Sequence, residues 1–499
     1  MCGVVGIIGS NDAAREAFLG LTILQHRGQD AAGILSFDSG QTPAKEARST
    51  DGFHRVKNLG LVDSVFNREN MAALTGNIAI GHARYGTSGR GDLIEVQPFL
   101  LNYPFGIGMV HNGNIVNATE IARELRSKHR RHLLTHSDTE VILNLLADGL
   151  AHSSAGELEF ESLCKAVSNL FDRLNGSYSI VSLIADQGLV AFRDPNGLRP
   201  LVWGTRKLEG DSERAYMIAS ESAALSFLGY EQLRDLKPGE LLFIDKLGKV
   251  HTRILTKREH RPCMFEWVYF ASPESVIDET PVYGARIGLG HNLATLVRTE
   301  LAKRGLGADI VVPVPDTARI AAIALSEDLG IPYREVLIKN RYIKRTFILD
   351  SQEKRQTAVN LKLSPVRSEI VGKRVLLVDD SIVRGTTSRK LVELVRQAGA
   401  SKVYFVSTCP PIQSPCFYGI DFPERRELIA FNRTAGQIEQ ELAADAVIFQ
   451  TDEGLRQAIH SAGQLSFEPC MACLDGKYPT DVAGGEQFAD LRRAERKKS

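Results

Sequence analysis

The sequence predicts an α/β protein of two domains, a layered mixed domain followed by a doubly wound one. Its 499 residues exceed what one hydrophobic core holds, so two units of roughly 200–250 residues are the natural division. The first half reads as short apolar strands bounded by Gly, Asn and Asp. The second half alternates nearly continuous apolar runs with helical stretches, the pattern of strands buried on both faces of a parallel sheet.

In the first half, residues 4–9, 77–82 and 106–111 are apolar or β-branched runs between turn formers. Residues 177–185 and 189–193 flank Asp186-Gln187-Gly188 and predict a hairpin. A helix is expected from Ser137, with Glu140 completing a capping box and Val141, Ile142, Leu145 and Leu146 at helical spacing. In the second half, residues 309–314 and 374–378 are the expected parallel strands, and residues 388–397 a helix ending at Ala398-Gly399. The polar, basic stretch 249–261 marks the seam. The expected domains are residues 2–250 and 263–475, with a tail at 476–499 whose basic end (491–499) carries no pattern and is expected to be solvated.

Sixty basic residues balance sixty acidic ones, so no global field draws a polyanion, and neither nucleic acid nor a membrane surface is an expected partner. No apolar run approaches the ~20 residues of a membrane span. The apolar start lacks a basic leader, and seven cysteines, an odd and sparse set, fit a reducing compartment. A cytoplasmic location is the expectation.

Cys2 follows Met1 directly. Methionine removal would leave a thiol and a free α-amine on one residue, and that amine, with an unperturbed pKa of ~7.7–8.0, can serve as the base. Four further segments follow: Gln25-His26-Arg27-Gly28-Gln29-Asp30-Ala31-Ala32-Gly33, His82-Ala83-Arg84-Tyr85-Gly86-Thr87, His111-Asn112-Gly113-Asn114 and His136-Ser137-Asp138-Thr139-Glu140. With Cys2 they resemble the class II glutamine amidotransferases, the N-terminal-nucleophile (Ntn) glutaminases. That resemblance implies an αββα Ntn-hydrolase layer domain in which Cys2 forms a thioester with glutamine. Asn112 and the Gly113 N–H would form the oxyanion hole, Arg84 and Asp138 would hold the α-carboxylate and α-ammonium, and Arg27 would support them. Gly89-Arg90-Gly91 departs from the small polar residues of relatives, which affects the lip of the site.

The run at 374–378 enters Asp379-Asp380, then Ser381-Ile382-Val383-Arg384-Gly385-Thr386-Thr387-Ser388 and a helix. Carboxylates at the carboxyl end of a buried strand, followed by small residues at a helix N-terminus, suit a sugar phosphate. The spacing is not that of a Walker loop. The run resembles the phosphoribosyl pyrophosphate signature of type I phosphoribosyltransferases. The resemblance implies that Asp379 and Asp380 meet the ribose hydroxyls and Mg²⁺, and that Ser381, Arg384, Gly385, Thr386 and Thr387 cradle the 5′-phosphate. Thr317, in Val312-Pro313-Val314-Pro315-Asp316-Thr317, matches a Mg²⁺-contacting position, although Ala318 follows where Gly is usual. The basic segment from Lys339 through Arg345 to Gln356 looks like the family's catalytic flap, with Lys344 and Asp350 departing from its pattern.

Cys470-Met471-Ala472-Cys473, Cys263 and Cys416 match four cysteines of an iron–sulfur subgroup, which implies a [4Fe–4S] cluster; a zinc site would also accept four cysteines. Cys164 and Cys409 read as packing residues. Joined, the halves resemble the amidophosphoribosyltransferase family over roughly residues 2–480. That implies conversion of phosphoribosyl pyrophosphate, glutamine and water to 5-phosphoribosylamine, glutamate and pyrophosphate, the committed step of purine synthesis, with ammonia passed between two sites. Purine nucleotides as feedback inhibitors and a homotetramer or homodimer are implied as well. Where relatives in the subgroup carry a propeptide, this chain has Met1 alone, so only methionine removal is expected. Other synthases built on the same glutaminase lack the phosphoribosyl signature, and a non-catalytic nucleotide-binding paralogue would not be expected to keep every catalytic position.

Overall fold

The computed structural model describes residues 1–38, 52–86, 92–151, 158–208, 214–339, 363–422, 424–463 and 467–485. The Gly89–Gly91 lip, the basic flap beyond Lys339 (Arg345 included), and the basic end of the tail lie outside these residues.

Two antiparallel sheets form the centre of the first domain. One has seven strands, with Gly3–Ile8 in the middle between Arg214–Ala219 and Ile78–Arg84. The other has six, with Ile107–Ile115 paired to Gly176–Ile184, which in turn pairs with Gly188–Arg193 as the expected hairpin. The sheets pack face to face through Val4, Ile80 and Leu35 on one side and Val110, Val181 and Leu189 on the other. Helix Ala13–Ile23 covers the outer face of the first sheet through Ala17 and Leu21, and Asp138–Leu150 and Phe160–Arg173 cover the second through Ile142, Leu146, Leu163 and Leu170. Both sheets are therefore buried on both faces, which is why their strands read as solid apolar runs rather than alternating ones. The result is four layers, αββα. Cys164 is buried among these helices, as its apolar neighbours predicted.

Two details differ from the sequence reading. Ser137 is the N-cap residue of the helix, but its side chain makes no capping bond. Glu140 instead accepts the Leu134 and Thr135 N–H groups at 2.8 and 2.7 Å, closing the preceding turn. Part of the polar stretch taken as a seam is the edge strand Val250–Ile254, paired with Glu240–Asp245; an edge strand need not be apolar.

The second domain is built on the parallel strands Ile310–Pro313, Arg374–Asp379, Lys402–Ser407 and Ala446–Phe449, adjacent in that order. A bridge from Val311 to Tyr333 sits on the free side of the first strand. Chain direction across the sheet thus reverses between Ile310–Pro313 and Arg374–Asp379. Val282–Lys303 and Arg319–Leu329 pack on one face, and Thr386–Gln397 and Ala435–Leu442 on the other. Open α/β sheets bind ligands at such a reversal, outside the carboxyl ends of the strands. No helix among the described residues is long and apolar enough to cross a membrane.

Candidate active sites

The first centre lies at the start of the central strand. Its pocket is lined by Cys2, His82, Arg84, Glu95, Asp138 and Gly113, among others. Cys2 and Arg84 lie near the ends of the paired strands Gly3–Ile8 and Ile78–Arg84, while Asn112 and Gly113 come from the strand Ile107–Ile115 of the other sheet. The backbone N–H of Cys2 donates to Asn112 Oδ1 at 3.2 Å. The other end of that amide, Nδ2, is buried and has no hydrogen-bond partner. A buried donor without an acceptor is costly, and here it stands beside Cys2. Its partner fits an atom that is charged only during reaction.

Gly113 allows no side chain. A Cβ would lie 2.0 Å from the Ser177 carbonyl oxygen, which the paired strand holds fixed. Asp138 heads its helix and accepts the Ile115 N–H at 3.1 Å. Burial alone would raise its carboxyl, but His111, 3.5 Å away, and backbone N–H groups hold it below the usual range. It is therefore ready to meet an ammonium. Arg84 faces Glu95 at 3.4 Å. His82 is pushed down to about 3 by burial, helped by the Arg84 cation, so its ring is neutral.

Arg27 stands behind the nucleophile rather than among the groups lining the pocket. Its Nε donates to the Cys2 carbonyl at 3.1 Å, and its remaining nitrogens bind Glu221 and Glu266. Met1 is buried, its side chain among Met264, Phe265 and Ile420, and burial brings its amine down to about 5.

The second centre occupies the reversal point. Asp379 ends its strand and Asp380 follows; both are buried, and burial, with mutual repulsion at Asp379, pushes both carboxyls up. The Thr317 hydroxyl donates to Asp380, and Ser381 Oγ donates to it at 2.7 Å. Two adjacent carboxyls beside the Thr317 hydroxyl supply oxygen donors, the ligand type Mg²⁺ takes. Gly385, at φ +75°, caps helix Thr386–Gln397, whose first N–H groups have no intrahelical partner. Thr386 and Thr387 form that first turn. Arg384 pairs with Glu427, and Lys339 with Asp316. Ala318 adopts an ordinary right-handed conformation before helix Arg319–Leu329, so the missing glycine imposes no strain there.

The four candidate cluster cysteines converge from three segments. Cys263 and Cys470 are bridge partners, Cys473 follows one turn later, and its carbonyl accepts the Gln413 and Ser414 N–H groups beside Cys416. All are free thiols. Cys263 is pushed up to about 11, mainly by burial, with Cys416 adding to it, and Cys470 and Cys473 move in the same direction. Among the described residues no group of three or more His, Cys, Asp or Glu side chains is arranged to hold a metal ion. Four cysteine thiols are a donor set of the kind an iron–sulfur group takes. Cys409 is buried after its strand, as expected of a packing residue.

Motif reading did not single out Glu95, Gln97, Glu221, Glu266 or Arg199. Gln97 accepts the His111 N–H at 2.6 Å and donates to Thr139, fixing the strand that carries Asn112. None of the five sits in a run with a recognisable spacing. Only the fold brings them to the site.

Residues 92–227 match the glutamine amidotransferase domain and residues 288–418 the phosphoribosyl transferase domain. The amidophosphoribosyltransferase of Pseudomonas aeruginosa is 42% identical over 99% of this chain and 95% of its own length. That of Escherichia coli is 43% identical over 92% of this chain and 89% of its own length. Among solved structures, the glutamine phosphoribosylpyrophosphate amidotransferase of B. subtilis, complexed with ADP and GMP, is 38% identical with a TM-score of 0.82, covering 96% of this chain and 98% of that one. The two centres therefore sit in a recognised framework, and this chain belongs to the amidophosphoribosyltransferase family, glutamine-dependent glycosyltransferases of purine biosynthesis.

Proposed function

We propose that Cys2 splits glutamine and that the ammonia released is carried inside the protein to phosphoribosyl pyrophosphate at Asp379 and Asp380. The observation that carries the first step is the orphaned Asn112 Nδ2 beside a nucleophile whose nitrogen is already held by Oδ1 of the same amide. With Met1 removed, the Cys2 amine takes the thiol proton as sulfur attacks the side-chain carbonyl carbon of glutamine. Asn112 Nδ2 and the Gly113 N–H receive the oxyanion. Collapse forms the thioester and passes the proton to the departing ammonia; water then releases glutamate. Arg84 and Asp138 hold the α-carboxylate and α-ammonium of glutamine, and Arg27 keeps the Cys2 backbone in place.

At the second centre Asp379, Asp380 and Thr317 would hold Mg²⁺, which when bound neutralises charge on the pyrophosphate. The loop Ser381–Thr387 seats the 5′-phosphate on the helix N-terminus, and Lys339, with Arg345 on the strength of the family resemblance, would bind the leaving pyrophosphate. Ammonia attacks ribose C1 as the C–O bond to pyrophosphate breaks. An apolar cluster extends from Met1, next to Cys2, through Phe265 and Ile420 to Val383 in the phosphate loop. A path through this apolar region would favour neutral ammonia over ammonium.

Cys263, Cys416, Cys470 and Cys473 would hold a [4Fe–4S] cluster that ties the C-terminal segment to the domain. A zinc ion would also accept four thiolates, and metal analysis separates the two. Purine nucleotides as inhibitors, a homotetramer or homodimer, and a cytoplasmic location belong to the same proposal.

The test is Cys2→Ala. Glutamine-dependent formation of phosphoribosylamine should vanish while ammonia-dependent formation remains. Equal loss of both would contradict this division of labour.

A further inference from the structure

Glu266 opens the helical turn Glu266–Phe270 of the second domain, and its side chain is 1% exposed. Both of its oxygens accept from Arg27 Nη2, at 3.0 and 2.8 Å, and Oε1 also accepts from Arg199 Nη1 at 3.3 Å. The same Arg27 guanidinium donates through Nε to the carbonyl oxygen of Cys2 and through Nη1 to Glu221. Glu221 is in turn bound by the Ser272 N–H and the Ser275 hydroxyl. Two arginines and two glutamates thus cancel in a space closed to solvent, with Glu266, Ser272 and Ser275 supplied from across the seam.

The geometry matters because of what Arg27 touches. A guanidinium is a rigid plane, so fixing its Nη2 edge on Glu266 fixes where Nε points. Nε points at the Cys2 carbonyl, and that carbonyl sets the rotation of the residue carrying both thiol and base. Misplacing reacting groups by about 1 Å costs on the order of 100-fold. On its far side the same turn is gripped by Arg286, which donates to the carbonyls of Trp267, Tyr269 and Ala271.

We propose that Glu266 is a positioning residue of the glutamine-splitting reaction, contributed by the phosphoribosyltransferase domain and acting through Arg27 on Cys2. The inference rests on Cys2 being the glutaminase nucleophile. A glutaminase whose nucleophile is aligned from the neighbouring domain differs from a self-sufficient module that merely delivers ammonia.

The experiment uses the full chain carrying Glu266→Gln, which keeps shape but not charge, and Glu266→Asp, which keeps charge. Glutamine- and ammonia-dependent kcat, KM for glutamine, the rate of Cys2 alkylation by iodoacetamide read by mass spectrometry, and the melting temperature are measured for each. Glu266→Gln should lower glutamine-dependent kcat and the alkylation rate by about 10- to 100-fold. KM for glutamine and ammonia-dependent kcat should stay at the parent level, and Glu266→Asp, which keeps the charge but draws the carboxylate back from Arg27, should lose less than Glu266→Gln yet stay several-fold below the parent. An unchanged glutamine-dependent rate, or loss of both activities in step with the melting temperature, would overturn the proposal. If Glu266→Gln does not fold, Glu266→Asp decides alone: a fall in glutamine-dependent kcat and alkylation with ammonia use intact supports it, and parent-like values overturn it. If the parent itself makes no use of glutamine, or keeps that use in Cys2→Ala, the earlier reading has failed and this inference falls with it, an outcome distinct from a parent that needs Cys2 but not Glu266.

Discussion

Replacing Asn112 with alanine removes two separate things from the glutaminase centre. One is the Oδ1 acceptor that holds the Cys2 nitrogen at 3.2 Å, a hydrogen bond whose net worth is about 1 kcal/mol. The other is the unpartnered Nδ2 donor. If that donor meets the oxyanion, its loss costs about 2.7–4 kcal/mol in the transition state. The second loss alone corresponds to a fall of about 10²–10³-fold in glutamine-dependent kcat, since the first bond is present in the resting state too. Ammonia-dependent turnover should not change. Asn112→Asp keeps the acceptor but turns a second oxygen toward the developing negative charge, so it should be at least as slow. Stability should move the other way for alanine, because an orphaned buried donor costs about 1–3 kcal/mol in the resting protein. The assay is steady-state formation of phosphoribosylamine with each nitrogen source, alongside a thermal melt. Retention of more than about a tenth of the glutamine-dependent rate by Asn112→Ala would remove Nδ2 from the oxyanion hole, since so small an effect is far below the loss of such a donor.

Gly385→Ala places a Cβ 2.3 Å from Ile429 Cδ1 at a φ of +75°, and such a conformation costs about 1–3 kcal/mol; initial rates should fall about tenfold with both nitrogen sources at subsaturating phosphoribosyl pyrophosphate, unlike any change at Cys2. Glu221 is opposed by burial but drawn down from 4.5 to about 2 by Arg27 and His26. A depressed carboxyl lends stability above its unfolded pKa and loses it as pH falls toward the folded one, so about 3 kcal/mol should disappear between pH ~4.5 and ~2. Denaturant melts across that window should be steeper in pH for the parent than for Glu221→Gln; parallel slopes would contradict the assignment. Cys470→Ser should abolish bound iron and acid-labile sulfide and any visible absorption arising from them, measured on protein purified without oxygen; stoichiometric zinc in the parent would exclude the cluster.

The chemistry-bearing residues were legible because their neighbours in sequence are also their neighbours in the site. Asp379-Asp380 and the following loop occupy one strand end and one helix start, and His111-Asn112-Gly113 one stretch of strand. The strands were legible as apolar runs, but their stacking in four layers came from the family resemblance and not from the runs themselves. What escaped was anything that depended on two distant segments meeting. Glu266 sits in an apolar stretch after Pro262-Cys263, and Arg199 in a Gly-Leu-Arg-Pro turn; neither has a spacing that betrays its partner. Arg27 was found by motif in a supporting role, but its partners Glu221 and Glu266 were not, because a motif gives a residue's company and not the direction in which it points. The Glu140 capping box failed on a local competition: the same carboxylate could close either of two turns.

Arg199 shows what the seam demands. It belongs to the first domain, yet its guanidinium donates to the Tyr418 carbonyl and to Glu266, both in the second. Nearby, the Asn114 amide and the Ser177 hydroxyl donate across to the carbonyls of Phe417 and Tyr418. Cutting the chain between its domains would leave a cation and two polar groups facing a surface with nothing to receive them. The glutaminase half is therefore not a portable cassette. Grafted onto another synthase, it would require that host to present a carboxylate and a pair of carbonyl oxygens at these same points.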